Sequence, residues 1–279
     1  MSRSPRTWFI TGADKGLGLE TAKAALSVGD RVVVTVLDRD GFHPLADSFP
    51  DRFRAFALDA RDLAALPDVV AAAHAAFGRI DILVNNAGFG LVSLAETTKP
   101  EAYRPLFEVN FFALVEMTRA VLPILRKQRS GHIINLSSYA GFMATPGFGL
   151  YAASKFAVEG FSEAVAKEVR DLGIRVTIVE PGGFRSDFAG PSLVQGHDVP
   201  ADYAALAEIV TGYAARRHGK QPNNPALFGT ALLRLVDLPE PPVRLPLGRD
   251  AHDAITAEVQ AVQKELALWR DLSVSTTDL

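Results

Sequence analysis

The chain has 279 residues, of which 48% are apolar, a formal net charge of −3 and no cysteine. This length suits one large α/β domain or at most two small ones, and the apolar content can fill a sizeable core. The slight negative charge gives no electrostatic reason to bind nucleic acid or an anionic membrane, and the lack of cysteine excludes disulfides, thiolate catalysis and cysteine metal sites.

Strand-like and helix-like stretches alternate along most of the chain. Runs rich in β-branched and aromatic residues predict strands at 8–11, 31–36, 53–58, 81–85, 132–136, 174–179 and 243–247. Apolar periodicity predicts helices at 19–28, 62–77, from 100, from 110, and at 151–172, 201–217, 226–236 and 251–271. Repeated βα units with continuously apolar strands predict a doubly wound parallel sheet, a Rossmann fold of about seven strands with helices on both faces. A ligand then binds at the carboxyl ends of the strands.

The region after Gly183 differs from the alternating part of the chain. Residues 184–200 lack a clear period, and 219–225 have the composition of a loop. We interpret 184–225 as an insertion that covers the ligand pocket, within a single domain spanning 1–279. The stretch 251–271 is expected to form an extended carboxyl-terminal helix.

A glycine-rich turn follows the first predicted strand and opens the first helix. It reads Thr-Gly-Ala-Asp-Lys-Gly-Leu-Gly over residues 11–18. Glycine permits a tight turn and close backbone approach, and the amino end of the following helix offers free N–H groups to a pyrophosphate. The turn therefore predicts a nucleotide site.

Polar residues also follow later strands. Asp59 has a carboxylate suited to accept from an adenine amino group, and the run Asn-Asn-Ala-Gly at 85–88 is placed to border a cofactor. Both segments are equally compatible with simple turns, which these residue types favour. Asn110, among apolar neighbours, needs a polar partner and is either a structural or a catalytic amide.

Tyr151 and Lys155 stand one turn apart if they lie on a helix. A tyrosine with a pKa near 10 is a poor acid/base at neutral pH, and a lysine ammonium in a partly dry pocket can lower that pKa. Ser138, if it faces the same pocket, can hydrogen-bond the substrate oxygen whose proton Tyr151 exchanges. The alternative is an ordinary amphipathic helix with an exposed lysine.

These motifs, in this order, resemble those of the short-chain dehydrogenase/reductase family, and the resemblance covers roughly residues 6–188. The resemblance implies that Tyr151 is the proton donor and acceptor, that Lys155 lowers its pKa and holds the nicotinamide ribose, that Ser138 orients the substrate oxygen, and that Asn110 holds a relay water. It implies cofactor contacts from Gly12, Asp14, Lys15, Gly16, Leu17, Gly18, Asp38, Asp59, Ala60, Asn86, Ala87, Gly88, Asn110, Tyr151, Lys155, Pro181, Gly182 and Ser186.

The choice between NADP(H) and NAD(H) depends on the end of the second strand. The family position that carries an acidic residue for NAD is Val36 here. Lys15 resembles the basic residue that NADP-using members place against the 2′-phosphate. Leu37 stands where many of those members have arginine, and Asp38 adds negative charge that Arg39 can offset. We expect NADP(H) in preference to NAD(H).

The substrate is inferred from the aromatic residues on segments that border the site in similar proteins. Phe89, Phe142, Phe148 and Phe184 are expected to contact it together with Ser138 and Tyr151, and Leu91, Met143 and Phe188 lie on the same segments. This lining predicts a mainly apolar ketone, aldehyde or secondary alcohol without a charged anchor. The rival interpretations are a catalytically silent nucleotide sensor or scaffold on the same fold, and a sugar epimerase or dehydratase.

Other sequence features add no competing chemistry. The six histidines lack metal-ligand spacing, so no metal is expected, and the basic run 216–220 is interpreted as a solvated helix end. No apolar run reaches the roughly 18 residues that span a bilayer, and the amino-terminal stretch is too short for a signal-peptide core. We expect a cytoplasmic homodimer or homotetramer with a small-molecule substrate and no nucleic-acid or membrane partner.

Overall fold

A computed structural model describes residues 4–37, 43 and 45–277. Seven strands form one fully parallel sheet in the order β3-β2-β1-β4-β6-β7-β9. A separate pair, β5 and β8, is also parallel. The strands are β1 Thr7–Ile10, β2 Arg31–Val36, β3 Phe53–Ala57, β4 Ile82–Asn85, β5 Gly90–Val92, β6 Gly131–Leu136, β7 Ile174–Pro181, β8 Leu193–Gln195 and β9 Arg244–Leu247.

Helices connect the strands and cover both faces of the sheet. They are α1 Gly16–Ser27, α2 Leu45–Ser48, α3 Leu66–Phe77, α4 Pro100–Phe107, α5 Ala113–Gln128, α6 Gly149–Val169, α7 Ala204–Arg217, α8 Pro225–Val236, α9 Arg249–Leu268 and α10 Arg270–Val274. In the part of the chain that the structure describes, no helix is long and apolar enough to cross a bilayer.

Two apolar clusters sit on opposite faces of the sheet, because neighbouring residues of a strand point to opposite sides. Trp8 and Ile10 of β1 pack with side chains of α1 and α8, whereas Phe9, between them, packs with side chains of α3, α5 and α6. Burial on both faces explains why the strands are continuously apolar. The doubly wound fold expected from the sequence is therefore confirmed.

The order of the strands reverses at β1, because β2 lies on one side of it and β4 on the other. Doubly wound sheets bind ligands at such a switch point, outside the carboxyl ends of the strands. The glycine-rich turn follows β1 and the Asn-Asn-Ala-Gly run follows β4. The fold thus places both predicted motifs at the same edge of the sheet.

Most predicted elements are present with shifted ends. The helix predicted at 62–77 begins at Leu66, as Pro67 indicated. The helix predicted at 151–172 is α6, which continues into a short 3-10 turn and ends at Gly173, whose φ is 74°. The two helices predicted from 100 and 110 are joined by a π-helical turn, Glu108–Phe112. The terminal helix predicted at 251–271 is two segments, α9 and α10.

Three elements were missing from the sequence prediction: α2, β5 and β8. Strands β5 and β8 have three residues each, too few to show a period. Their pairing ties the segment after β7 to the segment after β4, with the Gly90 N–H donating to the Ser192 carbonyl at 3.0 Å.

Asp38 and Arg39, which were expected to act near the cofactor, are not among the residues that the structure describes.

Candidate active site

A continuous cleft of about 580 Å³ opens at the carboxyl ends of the strands. Its walls come from the turns after β1, β4, β6 and β7, from the amino-terminal half of α6, and from the segment that follows β7. This volume is within the range of small-molecule and cofactor sites. The cleft therefore coincides with the ligand position expected from the topology.

Close contact between the turns after β1 and β4 requires glycine at two positions. Gly12 has φ of 61°, and a Cβ added there would stand 3.0 Å from the Ala87 Cα atom. A Cβ at Gly18 would stand 2.6 Å from Nδ2 of Asn86 and 2.7 Å from the Gly12 carbonyl oxygen. Gly18 faces away from the cleft, so its role is to let α1 pack against the neighbouring turn.

Asn86 holds these two turns together. Its Nδ2 donates to the carbonyl oxygens of Thr11 at 2.9 Å and Gly12 at 2.8 Å, and its backbone N–H donates to the Thr11 hydroxyl at 3.0 Å. The base of the cleft is consequently fixed by hydrogen bonds rather than by the packing of loops alone.

The amino end of α1 is suited to bind an anion. Its N-cap residue, Lys15, makes no side-chain capping bond, and no acidic residue occupies the first turn. The first N–H groups and the positive end of the helix dipole therefore face the cleft uncompensated. A dinucleotide pyrophosphate fits this position, held by the turn between Gly12 and Gly18.

Charged groups line the cleft on the segments that follow β1, β3 and β7. The Lys15 ammonium lies 3.7 Å from a carboxylate oxygen of Asp187. Leu37 lines the cleft with 67% of its surface exposed. Asp59 forms an ion pair with Arg61, and the hydrogen bond from Arg61 lowers the pKa of the Asp59 carboxyl below its usual value. Arg61 already occupies the carboxylate that was expected to accept from adenine.

Ser138, Tyr151 and Lys155 meet in the cleft. Ser138 lies two residues beyond the end of β6, and Tyr151 and Lys155 lie one turn apart near the start of α6. All three side chains are buried, and the Lys155 Nζ atom stands 6.0 Å from the centre of the Tyr151 ring. The Nζ atom donates to the Leu136 carbonyl oxygen at 2.9 Å.

Burial is the largest influence on the pKa values of Tyr151 and Lys155. Burial raises the pKa of Tyr151, and a hydrogen bond with Ser138 opposes that rise. Burial lowers the pKa of Lys155 to about 8, against the attraction of Glu159. The pKa of Tyr151 is therefore raised where a lowering by Lys155 was expected, because the burial of the phenolate outweighs the hydrogen bond with Ser138.

Asn110 lies on the π-helical turn between α4 and α5, which directs its side chain inward. Its Oδ1 atom accepts from the Phe89 N–H at 3.0 Å, and its Nδ2 atom donates to the Phe89 carbonyl at 3.0 Å and the Ser154 hydroxyl at 3.3 Å. A Cβ added at Gly88 would lie 3.0 Å from Asn110 Oδ1 and 3.6 Å from Lys155 Nζ. The amide is therefore close to Lys155 but is used to fix the backbone at Phe89.

A buried acidic cluster lies below Lys155 and was not predicted from the sequence. Glu159 follows Lys155 by one turn of α6, and Arg244 of β9 donates to it at 3.0 Å and to Glu163 at 2.7 Å. Glu180 of β7 lies 3.8 Å from Arg244. Burial and the neighbouring Glu159 raise the pKa of Glu180 to about 8. The only sequence signal of this cluster is Glu159, four residues after Lys155, and a glutamate at that spacing from a lysine is too common to indicate a site.

Aromatic rings form the other end of the cleft. The ring of Phe148 is 6.3 Å from that of Tyr151 and 4.8 Å from that of Tyr213, and Phe188 is 5.4 Å from Tyr151. Tyr139, Tyr213 and Arg217 also line the cleft there. The sequence did not indicate that these three residues line the cleft. Arg217 is exposed at the end of α7, as expected of a solvated helix end, and it also lines the cleft.

Most of the predicted site residues do line the cleft. They are Gly12, Asp14, Lys15, Gly16, Leu17, Asp59, Ala60, Asn86, Ala87, Gly88, Phe89, Ser138, Phe148, Tyr151, Lys155, Pro181, Gly182, Phe184 and Ser186. Among the described residues that were predicted, Gly18, Asn110 and Phe142 are outside the lining. Phe142 belongs to the loop beyond the 3-10 turn Tyr139–Gly141. No group of three or more His, Asp or Glu within the described ranges could hold a metal ion.

Comparisons with known proteins agree with this geometry. Residues 6–194 match the family described as short chain dehydrogenase. The chain is 36% identical to Oxidoreductase BOA17 of Botryotinia fuckeliana (strain B05.10), over 97% of this chain and 99% of that protein. It is 34% identical to a 3-ketodihydrosphingosine reductase of Bacteroides thetaiotaomicron, over 88% of each chain.

Solved structures show the same likeness. A short-chain dehydrogenase from Streptomyces avermitilis has a TM-score of 0.90 and 36% identity, with 99% of this chain and 100% of that chain covered. Less similar structures, 28% and 26% identical, are a serine dehydrogenase in complex with NADP⁺ and a 3-ketoacyl-(acyl-carrier-protein) reductase in complex with NADH. Structural neighbours thus bind either nicotinamide cofactor.

Proposed function

Since the chain belongs to the short-chain dehydrogenase family, we propose that it transfers a hydride between NAD(P)(H) and a mainly apolar ketone, aldehyde or secondary alcohol, with Tyr151 as proton donor and acceptor. As a family member it is a dehydrogenase or reductase. The observation that carries the proposal is the meeting of Ser138, Tyr151 and Lys155 in the same cleft as the open amino end of α1.

The residues of the cleft divide into a cofactor end and a reacting end. Gly12 and Gly16 at the amino end of α1 would hold the pyrophosphate, and Gly88, Lys155 and Pro181 would border the nicotinamide and its ribose. When bound, the nicotinamide supplies or accepts the hydride. The protein's own residues then position the substrate and handle the proton.

Proton transfer follows from the arrangement of three side chains. In the reducing direction, Ser138 donates a hydrogen bond to the carbonyl oxygen, and Tyr151 donates its proton to the same oxygen as the hydride reaches the carbon. The raised pKa of Tyr151 keeps the proton on the phenol before reaction. The Lys155 cation stabilises the phenolate that forms, because their charges attract strongly in a buried site. The reverse sequence oxidises an alcohol.

We propose NADP(H) as the preferred cofactor. Lys15 lines the cleft at the amino end of α1, and Val36 and Leu37 at the end of β2 offer no carboxylate to bind ribose hydroxyls. The acidic residues in reach of Lys15 limit this preference, since Asp187 lies 3.7 Å from its ammonium. Similar proteins include structures with NADP⁺ and with NADH, so the proposal rests on the residues of this chain.

The segment 184–225 is proposed to cover the substrate within a single domain. Its two ends are joined by a bridge between Phe184 and Asn223, and Arg185 donates to the carbonyl of Gln221 at 3.0 Å. Phe188 and Tyr213 from this segment line the cleft. Their aromatic surface favours an apolar substrate body. The Bacteroides relative is named as a 3-ketodihydrosphingosine reductase, which agrees with a ketone as the reacting group.

A carbonyl and alcohol panel tests the proposed function. The purified chain is mixed with 2-octanone, octanal or 2-octanol and each of NADPH, NADH, NADP⁺ and NAD⁺, and the absorbance of the reduced cofactor is followed. We expect turnover of apolar members of the panel. Tight cofactor binding with no turnover of any carbonyl or alcohol would instead indicate a catalytically silent nucleotide-binding protein.

A further inference from the structure

Helix α7 places a cation at the far end of the substrate cleft. Tyr213 and Arg217 lie one turn apart near its carboxyl end, and both line the cleft. The Tyr213 ring contacts Phe148 at 4.8 Å between ring centres, and Phe148 lies 6.3 Å from Tyr151. Arg217 is thus separated from the reacting tyrosine by two aromatic contacts and one helical turn.

Two hydroxyls accompany this guanidinium. Burial raises the pKa of Tyr213, and the charge and hydrogen bond of Arg217 oppose that rise. Burial also raises the pKa of Tyr139, and the charges of Tyr213, Arg217 and Asp250 act on it as well; all four side chains line the cleft. The three side chains Tyr139, Tyr213 and Arg217 therefore form one polar group in an otherwise aromatic end of the cleft.

The Arg217 cation has no ion-pair partner among the described residues, since no carboxylate there comes within 4.0 Å of it. The nearby Asp250 is already used, because it accepts from the Gly183 N–H at 2.7 Å and from Asn223 Nδ2 at 2.7 Å. Neighbouring Arg216 is different: it pairs with Glu208 at 2.5 Å. Stabilising the helix carboxyl end, which either arginine can do, does not explain why Arg217 faces the cleft.

We propose that Arg217, with the hydroxyls of Tyr139 and Tyr213, binds a carboxylate at the far end of the substrate. A guanidinium presents two parallel N–H donors that match the two oxygens of a carboxylate. Because Phe148 and Phe188 line the space between Tyr151 and Arg217, the part of the substrate between its carbonyl group and its carboxylate is apolar. This inference rests on the proposed function and refines it: the substrate is an apolar oxo acid or the corresponding hydroxy acid.

Equilibrium binding tests the carboxylate site without any reaction. Octanoate and octanamide have the same apolar chain, and their affinities for the full chain with NADP⁺ present are compared by calorimetry. We expect octanoate to bind at least about 10-fold more tightly, as a charge-assisted hydrogen bond provides. Arg217→Met should abolish the difference, Arg217→Lys should restore part of it, and Arg216→Met should leave it unchanged.

Equal affinity of the wild-type chain for octanoate and octanamide would overturn the proposal. So would an equal loss in Arg216→Met and Arg217→Met, which would indicate a general field of surface charge. A change in the affinity for NADP⁺ in Arg217→Met, with the preference for octanoate retained, would assign Arg217 to the cofactor instead.

Kinetics then separate this inference from the proposed function. 7-Oxooctanoate, 7-oxooctanamide and 2-octanone are compared as substrates with NADPH. We expect Arg217→Met to lower kcat/KM for the oxo acid roughly 10- to 100-fold, mainly through KM, and to leave 2-octanone within about 2-fold. Turnover of all three without a preference for the acid would contradict the carboxylate site alone. No turnover of any, with octanoate still bound through Arg217, would contradict only the proposed reaction.

Discussion

The Lys15 ammonium stands at the mouth of the cleft with two possible anionic partners, the Asp187 carboxylate 3.7 Å away and a cofactor phosphate. Both Lys15 and Asp187 are about half exposed, so their mutual attraction is screened by solvent. A 2′-phosphate carries more charge than a carboxylate and would compete well for the ammonium. Lys15 is therefore the residue at which cofactor preference is most directly tested.

We expect Lys15→Ala to weaken NADPH binding about 10-fold, because one charge-assisted hydrogen bond is lost, and to leave NADH binding within about 2-fold. Titration of reduced-cofactor fluorescence measures both affinities. Asp187→Asn is the matched control, and it should strengthen NADPH binding by releasing the ammonium. An equal loss of affinity for the two cofactors in Lys15→Ala would contradict the preference for NADP(H).

At this scale the sequence predicted local chemistry well and contacts between elements poorly. Tyr151 and Lys155 are visible because four residues make about one helical turn, and Ser138 because it lies just beyond a predicted strand. The partners of Asn110 were not visible, since they depend on a π-helical turn that directs the amide to Phe89. Arg217 was not predicted as a cleft residue, because nothing in a basic run shows which arginine faces a cleft.

At the scale of elements, the packing of α6 against β7 and β9 buries carboxylates below the reacting group. Glu180 of β7 is 1% exposed, and its pKa is raised from 4.5 to about 8 by burial and by Glu159. Between these pH values the unfolded chain loses the proton and the folded chain keeps it. Folding is therefore linked to proton uptake, and stability falls as pH rises through this window.

His132 of β6 has the opposite effect at lower pH. Burial lowers its pKa from 6.5 to about 4, and its ring lies 2.9 Å from the Thr177 hydroxyl. Between pH 4 and 6.5 the unfolded chain binds the proton and the folded chain does not, so stability rises with pH there. The contributions of His132 and Glu180 oppose each other up to pH 6.5, and of these two only that of Glu180 remains between pH 6.5 and about 8.

We predict that the Tm of the wild-type chain falls between pH 6.5 and 8 and that Glu180→Gln makes this profile flatter, because glutamine has no proton to lose. Thermal unfolding followed by circular dichroism at several pH values measures the slope. Glu163→Gln is the control. Its carboxyl pKa is lowered to about 2 by Lys167 and Arg244, so its contribution is lost only as pH falls below its ordinary value of 4.5. An unchanged slope in Glu180→Gln would contradict the assignment.

Helices and strands could be predicted from the sequence where their hydrophobic pattern extends over enough residues. The inner strands β1, β2, β4, β6 and β7 are buried on both faces and read as apolar runs, so their existence was clear and only their ends moved. Pro246 within β9 is tolerated because this strand is at the edge of the sheet. The β5–β8 pair depends on contacts between distant segments and has no local signature.

At the scale of the whole molecule, α5 and α6 present apolar side chains that the described chain does not fully cover. Phe112, just before α5, is 44% exposed and Phe156 of α6 is 47% exposed. Leu114, Met117 and Val165 of the same helices are buried in the core. We take these two exposed phenylalanines as the candidate association surface.

We predict a homodimer or homotetramer that forms through this surface. Multi-angle light scattering of the wild-type chain at micromolar concentration should give a mass of two or four chains. Phe156→Glu should shift the mass toward one chain, because a buried unpaired carboxylate is costly in an interface, while Phe156→Leu should preserve the assembly. A wild-type monomer would rule out this arrangement.

The central claim is that the Tyr151 hydroxyl moves the proton beside a bound nicotinamide. Its most direct test is kcat/KM of Tyr151→Phe with a carbonyl substrate, measured together with cofactor affinity and compared with Tyr203→Phe, which alters an exposed tyrosine bonded to Glu96. The account predicts a loss of about 10²- to 10⁴-fold in Tyr151→Phe with cofactor affinity nearly unchanged, and wild-type activity in Tyr203→Phe. Retention of activity within a few-fold in Tyr151→Phe would contradict it.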